Sequence, residues 1–89
     1  MARDELQSAS EKLAEASAAA DGEVAETLDD QAEQLERLAT RDRGPDHGRL
    51  ARHENVLGEI AETNGGQVAD LVEAALADMR NYREGVEGV

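Results

Sequence analysis

Apolar residues recur at the spacing of an α-helix along almost the whole chain, and no stretch alternates as a strand does. That periodicity constrains the fold more than any other feature: it directs the chain to an all-α architecture. In the first segment the apolar positions are Leu6, Ala9, Leu13, Ala16 and Ala20; in the second they are Val24, Leu28, Ala32, Leu35 and Leu38. A third segment carries Leu50, His53, Leu57, Ile60 and Ala61, and a fourth carries Val68, Leu71, Val72, Ala75, Leu76, Met79 and Tyr82.

Three breaks divide the pattern. Asp21-Gly22 suits the end of one helix and the cap of the next. The phase runs on across it, so a single helix over residues 3–40 stays open as an alternative. Arg41-Asp42-Arg43-Gly44-Pro45-Asp46 is a loop, because proline bars the preceding residues from continuing a helix. Asn64-Gly65-Gly66 is a strong stop. The expected organisation is one helical domain over 1–89: a hairpin over 3–40, a loop at 41–46, a second hairpin over 47–84 and a frayed tail at 85–89.

The halves resemble each other at an offset of 44 residues. Leu6 aligns with Leu50, Leu13 with Leu57, Gly22 with Gly66, Leu35 with Met79 and Leu38 with Tyr82. A duplicated hairpin would place a turn at Gly22, since its counterpart beside Gly65 does not suit a helix interior.

The material for a core is thin: nine Leu, six Val, one Ile, two Met and one Tyr, with no Phe or Trp. A chain of 89 residues buries a smaller share of its surface than a larger domain does. Two remedies are expected: salt that strengthens burial, and a homodimer that completes the four-helix arrangement. The first helix, with Leu6 and Leu13 as its only large apolar residues and alanines at 9, 16 and 20, reads as a poor core helix and a reasonable close-packed partner. Interface candidates are Leu50, Leu57, Val72, Leu76 and Tyr82.

Charge gives the working environment. Twenty-one acids against nine bases leave a net charge of -12, and Lys12 is the single lysine. Molar salt shortens the Debye length to about 3 Å and removes the self-repulsion of such a chain. A salt-accumulating, halophilic cytoplasm is the expected setting. The charged start, Met1-Ala2-Arg3-Asp4-Glu5, is not of signal-peptide type, and no apolar run reaches membrane-spanning length. With no cysteine, disulfides and thiolate sites are excluded.

The basic residues concentrate in the middle: residues 37–53 hold five arginines and both histidines. Arginines at the start of a helix are unexpected, because its free N–H groups favour anions. Arg43, His47, Arg49 and Arg52 are therefore the candidate site, for a phosphate or carboxylate. The competing explanation is that these arginines neutralise neighbouring acidic helix faces. A metal is not expected, since the six-residue spacing of His47 and His53 places the rings on different faces. His53 lies on the Leu50/Leu57 stripe and reads as a packing or interface histidine. No catalytic motif is present, so an enzyme and a cofactor are not expected. Nucleic acid is disfavoured by net charge and by the single aromatic, Tyr82.

The stretch Asp42-Arg43-Gly44-Pro45-Asp46-His47-Gly48-Arg49-Leu50-Ala51-Arg52-His53, with Tyr82-Arg83 near the end, resembles an uncharacterised family of small acidic haloarchaeal proteins, a domain of unknown function. The resemblance implies an all-helical fold and halophilic origin, and carries no catalytic residue with it. The function expected is that of a small non-enzymatic interaction or structural protein, acting with a second copy or another protein; the alternative is an anion-binding module.

Overall fold

The computed structural model describes residues 2–40 and 47–87. They form four helices: α1 (Ala2–Ala19), α2 (Gly22–Thr40), α3 (His47–Thr63) and α4 (Gly66–Glu87). No strand occurs among the described residues. The break between α1 and α2 is real: Gly22 has φ +59, a left-handed conformation that only glycine adopts without strain. The α3–α4 turn uses Gly65 and Gly66, at φ +60 and +63, and Asn64 donates its side-chain amide to the Ile60 carbonyl at 2.9 Å. The loop expected at 41–46 lies outside the described residues. The tail is shorter than expected, since α4 continues through Gly85 and Val86 to Glu87. Neither glycine nor the loss of apolar period stops the helix, which runs 22 residues in all.

Two-residue connections make α1–α2 and α3–α4 antiparallel hairpins. The order between hairpins follows from reach. Thr40 and His47 are seven residues apart, a span of at most about 25 Å. The 19 residues of α2 cover about 28 Å, so the link cannot reach back to the start of α2. With Gln31 hydrogen-bonded to His53, a parallel α3 would need the link almost fully extended, and α3 instead runs back alongside α2. The helices therefore alternate up and down around a ring, in which α1 packs on α2 and α4, and α4 packs on α3. The fourth seam, between α2 and α3, is the thinnest, and α1 and α3 lie diagonally apart.

The 44-residue repeat is visible in three dimensions. Gly22 and Gly66 both open the second helix of a hairpin with positive φ. Leu6 and Leu50, Leu13 and Leu57, Leu28 and Val72, Ala32 and Leu76, and Leu35 and Met79 are buried in matching pairs. The repeat relates the α1–α4 seam to the α3–α2 seam. Ala9 and Ala75 are buried on the helices of the first; their counterparts on the second are His53 and Gln31, also buried. Small side chains let α1 and α4 approach closely. On the wider α2–α3 seam a hydrogen-bonded imidazole and amide bridge the two helices.

The first helix is the close-packed partner that the sequence reading expected, and it corrects the other half of that reading, since it is also a core helix. It is the most tightly packed of the four, with Leu6, Ala9, Leu13 and Ala16 at 0–1% exposure. Its serines also serve the contact: Ser10 Oγ donates to the Ala32 carbonyl at 2.8 Å and Ser17 Oγ to the Ala25 carbonyl at 2.7 Å. Both pairs step by seven residues in opposite directions, which fixes the antiparallel register. On the α4 side, Asp78 Oδ2 accepts from Ser8 Oγ at 2.8 Å and from Lys12 Nζ at 2.7 Å. The core closes within one chain. Leu50, Leu57, Val72, Leu76 and Tyr82, the residues expected near a dimer interface, are all buried inside it. Alanine-mediated approach compensates for the scarcity of large side chains.

Candidate functional site

Of the four residues expected to hold an anion, Arg49 and Arg52 are exposed on the first two turns of α3, three residues apart and hence on one face. His47 begins α3. Arg43 lies outside the described residues, as does the His47 side chain.

The alternating topology gathers more than these. The N-termini of α1 and α3 and the C-termini of α2 and α4 share one end of the bundle. Arg3, Arg37, Arg49, Arg52, Arg80 and Arg83 all fall in that half, which comprises the described residues up to 10, 31–55 and from 77 on. The same half holds eight acids, for a net charge of -2. The half with the two hairpin turns, residues 11–30 and 56–76, holds eleven acids against Lys12, a net of -10. The molecule is electrostatically polar along its 38 Å axis. Arg3, Arg80 and Arg83 escaped the sequence reading because they lie far from residues 37–53 in the chain. The signal was available: folding the sequence at its three breaks brings them together.

Within the arginine end, Arg83 Nη1 donates to Glu54 Oε2 at 2.8 Å, tying α4 to α3. Arg37, Arg49, Arg52 and Arg80 are exposed. A guanidinium is a planar, bidentate hydrogen-bonding group suited to carboxylate or phosphate, and Arg37 and Arg49 already interact within the chain.

His53 sits beside this end but inside the protein. Its Nδ1 donates to the Gln31 amide oxygen across the α2–α3 seam, and its Nε2 is buried with no hydrogen-bond partner among the described residues. Burial pushes its pKa below the usual histidine value; the Arg49 guanidinium adds to that effect, and Asp30 opposes it. His53 is therefore neutral near pH 7 and serves helix packing, as its place on the apolar stripe predicts.

Open depressions occur among the described residues. One lies between α3 and α4, lined by Gly58, Ala61, Glu62, Glu73, Leu76 and Arg80. Another lies on α2 among Glu23, Glu26, Thr27 and Asp30. Neither includes Arg49 or Arg52. No cluster of three metal-ligating side chains occurs among the described residues, and none of their helices is long and apolar enough to cross a membrane.

Residues 1–85 match a family described as a family of unknown function (DUF7553). No curated protein and no solved structure matches the chain.

Proposed function

We propose that this chain, which belongs to that family of unknown function, is a small non-enzymatic interaction protein whose working surface is the arginine end of the bundle. The observation that carries this reading is the sorting of charge: arginines at one end, and eleven acids against a single lysine at the other. The acidic end repels any copy of itself, whereas the arginine end, at a net -2 with interspersed charges of both signs, meets a like or carboxylate-bearing surface with far less repulsion. The setting proposed is a halophilic cytoplasm, where salt screens the acidic end and short-range guanidinium–carboxylate pairs persist. The partner is a second copy or another protein.

Light scattering in molar KCl tests the self-association arm. The expected result is a species heavier than the 9.5 kDa monomer, reduced to monomer by Arg49→Glu with Arg52→Glu and left intact by Glu23→Gln with Glu26→Gln. A 9.5 kDa species at every concentration defeats the homodimer.

A second reading is an anion site built from Arg49 and Arg52 with Arg43 and His47. It is favoured by the exposed Arg49 and Arg52 on one face of the first turns of α3. Isothermal titration with inorganic phosphate and with nucleotides, in molar KCl, separates the two. Heat that disappears in the Arg49→Ala, Arg52→Ala variant supports the anion site, and absence of heat removes it.

A further inference from the structure

The α2–α3 seam is built differently from its counterpart across the bundle. Where the α1–α4 helices bring Ala9 and Ala75, the α2–α3 helices bring Gln31 and His53. The hydrogen bond between them is a buried polar link on the seam where the two helices make least contact. Because the Gln31 oxygen accepts, Nδ1 carries the proton and Nε2 keeps a lone pair. That Nε2 is buried and has no hydrogen-bond partner among the described residues. A proton added there becomes a buried N–H without an acceptor and a charge in an apolar seam, both strongly unfavourable.

The charged surroundings do little to relieve it. On α3 itself, Arg49 sits one turn before His53 and repels a second positive charge. From α2, Asp30 is the one group whose charge attracts it. From α4, Arg83 is engaged with Glu54, the next residue along α3, so that carboxylate is already committed to a guanidinium. Helix α1 lies diagonally across the bundle from α3.

We propose that His53 is a proton-operated latch on the α2–α3 seam. Neutral, it closes the seam through Gln31; protonated, it parts α3 from α2 and opens a groove floored by the core leucines of both helices, Leu28, Leu35, Leu50 and Leu57. The α1–α2 and α1–α4 contacts stay closed, because they are held by serine, alanine and Asp78 contacts with no titrating histidine. The ratio of open to closed molecules rises about tenfold per pH unit, from the ordinary histidine value near 6.5 down to the lower value of the closed state.

The chain contains no cysteine, so spin-label pairs can be placed cleanly. Asp29→Cys with Asn55→Cys flanks the latch on exposed positions of α2 and α3; Glu11→Cys with Ala77→Cys reports the α1–α4 seam. Pulsed electron resonance distances are compared between about pH 7.5 and about pH 5, above the ordinary carboxylate range near 4. The expected result is a longer distance for the first pair on acidification, an unchanged second pair, and loss of the response in a His53→Leu, Gln31→Leu background. An unchanged first pair overturns the proposal, as does the same lengthening in the latch-free background. Should that background fail to fold, the imidazole resonances of the wild-type chain decide: titration of His53 at or above the ordinary value near 6.5 overturns the latch, and titration below it supports the latch.

Discussion

Enlarging a single alanine on α1 should destabilise the protein more than its chemistry suggests. Ala9 is fully buried on a helix that packs against both α2 and α4, beside Ser10, whose hydroxyl bonds the Ala32 backbone carbonyl at 2.8 Å. Ala9→Leu adds three carbons where no surface is left to receive them. Overpacking of a closed core costs about 1–3 kcal/mol, because neighbouring side chains leave their rotamers or the helices move apart. Here separation also stretches the serine–carbonyl bonds, which favours the upper part of that range. In a domain of this size each kcal/mol lowers the melting temperature by about 4–8 °C. Thermal melts followed by far-UV circular dichroism, with exposed Ala18→Leu as the control, measure the difference. The control should stay within about 0.5 kcal/mol of wild type. An Ala9→Leu variant as stable as wild type would show that α1 is loosely packed, and would refute the account of how this chain closes its core.

Other outcomes follow from the same contacts. Leu57→Ala, at a fully buried position, should cost about 2–5 kcal/mol in denaturant unfolding; a loss below 1 kcal/mol would place Leu57 outside the core. Gly66→Ala meets no atom within 4 Å yet must hold φ +63, so its cost should be the left-handed strain alone, about 1–2 kcal/mol. Lys12→Ala removes a partly exposed ion pair to Asp78 and should change stability by no more than about 1 kcal/mol. Lowering KCl from molar to about 0.1 M lengthens the Debye length to about 10 Å, so helicity should fall, with the acidic half melting first. Equal helicity and heat stability at both salts would remove the halophilic explanation of the composition.

Much of the architecture was legible because local signals agreed. The stops at Gly22 and Asn64-Gly65-Gly66 coincide with left-handed glycines, and Leu6, Leu13, Leu35, Leu50, Leu57 and Met79 of the repeat are buried. The role of α1 was half legible: its alanine stripe marked a close-packed partner, while its small side-chain area hid that it is also a core helix. An alanine stripe contributes little area by itself, and its value lies in the closeness it permits to two flanking helices. The Gln31–His53 link was half read: the apolar stripe marked His53, while Gln31, at the same spacing between Leu28 and Leu35 as His53 between Leu50 and Leu57, was passed over among the other polar residues of α2. For the candidate site, counting charge along the chain found Arg37, Arg49 and Arg52. Arg3, Arg80 and Arg83 join them only when charge is counted along the folded axis.

The central claim is that folding sorts an overall acidic chain into an acidic end and an arginine end. It is tested most directly by nuclear magnetic resonance with paired paramagnetic cosolutes, one cationic and one anionic, which report the potential at each backbone amide. The account predicts strong preference for the cationic probe at residues 11–30 and 56–76, and near parity around Arg37, Arg49, Arg52, Arg80 and Arg83. A uniform preference for the cationic probe over the whole surface would contradict it.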